Sequence, residues 1–280
     1  MKGQSSPELS SELSSELSPE LRPLTMSALP RELYVRQEKM PAGHYFPAHQ
    51  HDWHQLLYAV SGVLVVDLIG ERYFIPPEQA IWLPSGCQHR VYTEYGADLK
   101  SLYLDKQYQA LGTERATVLH ITPLIRELIL TAAEFEVEYD LDSYENDLVQ
   151  LLLKSLSRLE REDRYLPWPV SPELTALCHR LYQQPDQIVT SEQLADSMAV
   201  SLRTLDRRFR RETGMSLKQW RLQLRLMQAI ELLNAGHSVT QIALELGYSS
   251  ASPFIYMFRE QFGMAPAQYR NHIARSASTA

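Results

Sequence analysis

Cysteine is scarce in this chain: 280 residues hold two, Cys87 and Cys178, far apart and without ligand spacing. That scarcity excludes a disulfide-stapled scaffold and reads as reduced thiols in a cytosolic protein. Also missing is any apolar run of the roughly 20 residues that a membrane helix needs. No signal-peptide core follows Met1. The expectation is a cytoplasmic protein with no membrane partner. Positive charge is short overall, with 27 Lys+Arg against 34 Asp+Glu and a net charge of −7. It is also unevenly spread. From Ser201 to Arg275 there are eleven Lys/Arg and five Asp/Glu, so that segment is +6 and the remainder −13. An acidic chain with one basic end has a localised electrostatic footprint for phosphate. A hydrophobic content of 44% over this length leaves room for two domains and a sizeable core.

Residues 1–28 differ from the rest. SPELSSELSSELSPEL repeats Ser, Glu and Leu with interspersed proline, which predicts a disordered low-complexity tail with no assigned function.

The last third states one pattern twice. In Gln193–Arg221 and Gln241–Arg270, Gln193 and Ala195 match Gln241 and Ala243. After one extra residue in the second turn, Ser201, Phe209, Arg210, Gly214, Met215, Gln219 and Arg221 match Ser250, Phe258, Arg259, Gly263, Met264, Gln268 and Arg270. Each copy reads as two helices. Thr190 or Ser191 caps the first helix of copy one, with Gln193 near the third position. Ala199-Val200 turns the chain and Ser201 caps the second helix. There Leu205 and Phe209 form a buried stripe, while Arg203, Asp206, Arg207 and Arg210 take the open face. Gly214 ends it. Copy two repeats the plan with Gly247 at the turn, Ser249 or Ser250 as cap, Phe254 and Phe258 inward and Gly263 at the end. Between them, Leu217–Leu233 is apolar around most of its circumference, as expected of a buried helix packed on both units. A separation near one DNA turn, about 34 Å, would let both second helices enter successive major grooves.

SLRTLDRRFRRETG, SVTQIALELGYSS and MFREQFGMAPAQYR together resemble the AraC/XylS family of bacterial transcription regulators, over about Ser171 to His272. The resemblance implies one polypeptide with two helix-turn-helix units on promoter DNA, with RNA polymerase as a further possible partner. Carried across by position, Arg203, Thr204 and Arg207 face bases from the first reader, and Ser252 and Tyr256 from the second. The caps Ser201 and Ser250 and the outward Arg210 and Arg259 complete the expected DNA-binding set. Pro253 departs from the family, which usually has a small residue there. Proline is tolerated in a first turn, whose amides lack helical partners, and it removes one backbone N–H from the second reader's contacts to DNA.

From Leu33 to Leu104, short β-rich runs (HQLLYAV, VLVVDLI, RYFIP, QAIWLP, HRVYT, LKSLYL) alternate with turn residues, which suggests a sandwich or barrel. Within it, Gly43-x5-His49-x-His51-x3-Gln55-x6-Gly62 and Pro84-x-Gly86-x2-His89 resemble the two motifs of the cupin superfamily, a small jelly-roll barrel. HDWHQLLYAVSGVL with WLPSGCQH is similar to the sensor domain of one AraC-type subgroup. Gln55 stands where the family's glutamate ligand belongs, and Glu78 replaces the glycine that opens the second motif. His49, His51 and Gln55 share strand parity and point to one face, with His89 arriving from a neighbour. Three imidazoles and an amide oxygen can hold one divalent metal such as Ni, Fe or Zn. The same groups can bind an organic effector directly, or serve only as internal hydrogen-bonding groups. His44 and His54 have the opposite parity. Trp53 and Trp82 either wall the pocket or belong to the core.

Thr122–Ala133 and Tyr144–Glu160 read as amphipathic helices, with Leu148, Leu152 and Leu159 in one stripe beside Val149 and Leu156. Such a pair either joins two chains or packs on its own barrel. Leu166–Pro172 reads as a semi-rigid proline-rich linker. The expected fold is α+β with two domains. A cupin-like jelly-roll sensor barrel spans 29–110 and a helical dimerisation segment 120–163. A linker at 164–172 leads to an all-α double helix-turn-helix domain at 173–274. The expected function is a homodimeric regulator whose DNA binding responds to a small-molecule effector or metal in the barrel. The competing class is a cupin dioxygenase or isomerase fused to a DNA-binding module. Gln55 and the lack of an acid–base pair near the site argue against it.

Overall fold

The computed structural model describes residues 20–271 apart from residues 113, 163, 164, 187 and 188. Residues 1–19 of the expected tail and 272–274 of the expected DNA-binding domain lie outside the described residues.

Strands come first: β1 (Leu33–Met40), β2 (Tyr45–His49), β3 (His54–Gly62), β4 (Leu64–Leu68), β5 (Glu71–Ile75), β6 (Gln79–Leu83), β7 (His89–Tyr92), β8 (Ala97–Leu104) and β9 (Thr117–His120). Then follow α1 (Pro123–Ala132), α2 (Tyr144–Leu156), β10 (Arg161–Glu162) and β11 (Leu166–Pro167). They form two antiparallel sheets, ordered β1-β8-β3-β6-β9-β10 and β11-β5-β4-β7-β2. Leu57, Leu64, Val66, Ile75, Ile81 and Val91 fill the space between the sheets. Each sheet keeps its own edge strands, so the expected barrel takes the form of a two-sheet sandwich. Gly62 shows how closely its loops meet: at φ +78°, a Cβ there would lie 2.0 Å from the Gly96 carbonyl oxygen.

Both sheets are buried on their outer faces too. Leu56, Tyr58, Trp82 and Leu102 pack outward against α1 and α2. The expected stripe of Leu148, Val149, Leu152, Leu156 and Leu159 is used here, on its own chain's sheet. On the other side, Val63, Val65, Phe74 and Tyr92 form one continuous core with the helical domain. The Leu166–Pro172 segment spans no gap. Leu166 and Pro167 pair with Arg72 and Glu71 at the edge of β5, where a proline's missing N–H is harmless. Trp168 is buried beneath α3 (Pro172–Gln183) and α6 (Leu217–Asn234), and Trp220 Nε1 donates to the Pro167 carbonyl at 2.7 Å.

Around α6 sit the two repeat units, α4 (Ser191–Ser197) with α5 (Leu202–Thr213), and α7 (Val239–Glu245) with α8 (Ala251–Phe262). Capping boxes open α4, α6 and α7, built from Thr190 with Gln193, Ser216 with Gln219, and Ser238 with Gln241. Leu205 and Phe209 of α5 and Phe254 and Phe258 of α8 are fully buried in the same core as Trp220, Leu224 and Ile230 of α6. As expected, α6 is packed against both units.

Candidate functional site: the histidine cluster and the DNA-reading helices

The end of β2, the start of β7 and the residues leading into β3 bring His49, His51 and His89 together. Their ligand-capable nitrogens lie within 4.8 Å of one another. All three rings are held the same way. Nδ1 of His49 donates to the Pro47 carbonyl (2.7 Å), that of His51 to Trp53 (2.8 Å) and that of His89 to Cys87 (2.9 Å). A neutral imidazole that donates from Nδ1 keeps its lone pair on Nε2. His89 Nε2 is buried and has no partner among the described residues. Burial lowers the pKa of His49, and burial with the His49 ring beside it lowers that of His89 to about 3.

Gln55, on β3, closes the cluster, with Oε1 2.9 Å from His51 Nε2 and Nε2 donating to Ser101 Oγ at 3.3 Å. Two lone pairs thus face each other across the His51–Gln55 gap. A shared cation resolves that clash, as does an amide turned over to donate. The donor set fits a divalent metal: three imidazoles, one amide oxygen and a buried nitrogen without another partner among the described residues.

Of the two readings for Trp53, the structure takes the wall: its ring stacks on His51 with centroids 5.4 Å apart. Trp82 does not. It lies on the outer face of β6, donates to the Gly112 carbonyl and packs against His54 and Tyr108. His54 does point out of the sandwich, yet it is buried beneath that outer layer. Sequence reasoning missed Ser101 and Tyr103 of β8, which meet Gln55 and His51. Their shared parity in LKSLYL was the available signal. Beside His49, Gln55, Ser101 and Tyr103 the open cavity measures about 10 Å3, room for an ion or a single water.

On the helical side, Arg203, Arg207 and Arg210 are exposed on α5 and Tyr256 is 70% exposed on α8. Ser252 and Arg259 are exposed beside it. Ser201 Oγ accepts from the Thr204 amide, so it caps α5, while Ser250 makes no side-chain cap bond. Arg210 donates to Asp206 at 2.7 Å. The repeated Arg221 and Arg270 do not belong to this surface. Each donates back to the backbone just before its unit's first helix, at Val189 (2.7 Å) and His237 (3.3 Å).

A helix-turn-helix domain profile matches residues 194–272, and an AraC-like ligand binding domain profile matches residues 34–126. Over 223 residues the chain is 32% identical to the HTH-type transcriptional regulator NimR of Escherichia coli strain K12, covering 80% of this chain and 81% of that protein. This chain belongs to the AraC family. The HTH-type transcriptional activator RhaS of Escherichia fergusonii is 27% identical over 257 residues, covering 84% and 90% of the two chains. Among solved structures, ToxT from Vibrio cholerae covers 86% of this chain at 10% identity with a TM-score of 0.36.

As an AraC-family member the chain is a DNA-binding transcription regulator with an N-terminal ligand-binding domain, not an enzyme. Its partners are DNA and a small-molecule effector. None of the described helices is long and apolar enough to cross a membrane. The family's cupin glycine is Glu78 here, and the structure supplies a reason. Its carboxylate accepts from the Tyr269 hydroxyl beyond α8, tying the sandwich to the second reader.

Proposed function

We propose that this AraC-family regulator takes a divalent metal ion on His49, His51, His89 and Gln55, and that metal occupancy sets its affinity for promoter DNA. The observation that carries the reading is the common anchoring of three Nδ1 atoms on backbone carbonyls, which leaves the Nε2 lone pairs free on three rings whose ligand nitrogens lie within 4.8 Å of one another. That spacing suits a single ion held by several donors. The metal would supply positive charge and fixed ligand directions at the end of β2, β3 and β7. A metal that binds one arrangement of these strands better than another must shift DNA binding by linkage.

Arg203, Thr204, Arg207, Ser252 and Tyr256 would read bases, while Ser201, Arg210, Ser250 and Arg259 would meet the backbone. A homodimer would use the outer side of the helix pair, where Leu141, Tyr144 and Leu151 are exposed, because the buried stripe is already spent on its own sheet. RNA polymerase contact at the promoter and a cytoplasmic, nucleoid-associated location complete the proposal.

Elemental mass spectrometry of untagged protein tests the metal. Near-stoichiometric metal in wild type, lost in His51→Ala, is the expected result, with DNA affinity falling in a chelator. Metal-free wild type that remains folded and binds DNA unchanged after metal is added would overturn it.

A further inference from the structure

A cavity of about 820 Å3 lies away from the histidine cluster, between the sandwich and the helical domain. One wall comes from β5, β7 and the turn after β7, the other from α3, α6 and α7. That is the volume of a typical small-molecule site.

Its lining carries charge of both signs. Arg72, Arg90 and His179 are among the basic groups on it. Arg72 is 2% exposed; its Nε and Nη2 donate to Asp67, and its guanidinium lies 3.8 Å from the Trp168 ring centroid. Arg72 Nη1 is buried without an acceptor among the described residues. Arg90 rests on the rings of Tyr45 and Tyr92 and has no carboxylate partner among the described residues. Burial, then Arg72 beside it, holds His179 neutral, with a pKa lowered to about 4.

Glu94, Glu231 and Glu245 line it as well, and together act on Tyr95. Glu231 is 4% exposed, and its Oε1 has no donor among the described residues. Burial and the neighbouring Glu94 raise its pKa to about 8, against the opposing pull of Arg72 and a Tyr182 hydrogen bond. Gln228 Oε1, in the same wall, also lacks a donor. Buried donors and acceptors left unpaired on facing walls are uncommon and call for an explanation. One molecule with an acceptor at one end and a donor at the other would satisfy both sets.

We propose that this interdomain cavity is a second effector site, for a small dipolar organic molecule with a carboxylate against Arg72 and Arg90 and an amine against Glu231 and Glu94. The ammonium takes the place of the proton on Glu231, so binding ionises that carboxyl and releases one proton to solvent. Because the ligand touches both domains, its binding energy fixes how they pack, and so how the readers are presented to DNA. This site is separate from the histidine cluster.

Titration calorimetry on the full chain, with para-aminomethylbenzoate, benzoate and benzylamine as probes, tests the proposal. The dipolar probe should bind at least about tenfold tighter than either half-molecule and release protons in buffers of differing ionisation enthalpy. Glu231→Gln should abolish the proton release and reduce the dipolar probe to the affinity of benzoate. Arg90→Gln should weaken benzoate and the dipolar probe alike. His51→Ala, which removes the proposed metal site, should leave all three unchanged. Absence of saturation by every probe up to ~10 mM would overturn the site. Equal affinities of benzoate and the dipolar probe would overturn its dipolar character. Probe binding lost in His51→Ala but kept in Glu231→Gln and Arg90→Gln would place the ligand at the histidines instead.

Discussion

Ser201 and Ser250 occupy matched positions in the two readers, yet only Ser201 caps its helix. The reason lies three residues on. An N-cap oxygen accepts from the amide at the second or third helical position, and Thr204 supplies that amide in α5 while Pro253 has none in α8. Ser201→Ala should therefore cost about 1 kcal/mol in chemical denaturation, and Ser250→Ala less than about 0.5 kcal/mol. Equal losses would show that the cap is not what separates the two serines. The matched residues Gln193, Gln219, Gln241 and Gln268 likewise serve backbone amides, and Arg221 and Arg270 serve backbone carbonyls. Much of the repeat is thus a record of folding requirements. The positions where the copies differ and stay outward, Arg203 against Ser252 and Arg207 against Tyr256, are the ones that can carry different base preferences. Arg203→Ala or Arg207→Ala should cost about 1–3 kcal/mol on the cognate site and relax its sequence preference. Arg210→Ala should weaken cognate and scrambled DNA alike and flatten the salt dependence. Binding titrations on the two DNAs at several salt concentrations separate these outcomes.

At the scale of elements, α2 serves two faces with adjacent leucines. Leu152 is fully buried against the sheet, while Leu151 is 49% exposed. Leu152→Ala should cost about 2–5 kcal/mol through the cavity it leaves. Leu151→Asp should leave the melting temperature nearly unchanged and shift a dimer toward monomer in analytical ultracentrifugation. A stable Leu151→Asp dimer would move the homodimer contact off this helix pair. The heptad-like spacing of the leucines made the helix legible in the sequence. It carried no information about which surface would cover the stripe, since a neighbouring chain and the chain's own sheet are equally apolar. Strand parity was more decisive: it put His49, His51 and Gln55 on one face and His54 on the other. Parity could not place Trp82, because β6 is buried on both sides and either face of it accepts an indole.

Across the whole molecule, the domain interface carries a pH dependence of its own. A folded pKa of about 8 for Glu231, raised above its ordinary 4.5, means the folded state holds a proton that the unfolded chain releases. Its contribution is complete at low pH and is lost as pH rises toward 8, by at most about 1.4 kcal/mol per pH unit. His179, lowered from 6.5 to about 4, acts in the opposite sense between those values. The two oppose each other in mild acid, and above pH 6.5 only Glu231 remains of the pair. Stability should therefore fall between pH 6.5 and 8 in wild type, with a shallower fall in Glu231→Gln, as read by urea denaturation. Identical slopes would show that Glu231 is not the group responsible. Local rules sufficed for much of this regulator: caps, helical stripes, strand alternation and the histidine spacing are short-range, and each was readable from a few neighbouring residues. The charge on the reader surface was also a sum over sequence. Tertiary structure alone decided what lies on the outer faces of the sheets, because both are covered by elements far away in the chain. It turned an apparent linker into an edge strand beneath Trp220, answered Glu78 with Tyr269, and set Arg72 opposite Glu231. Those pairs are separated by scores to nearly two hundred residues, and no local pattern records which distant surface will exclude water from which.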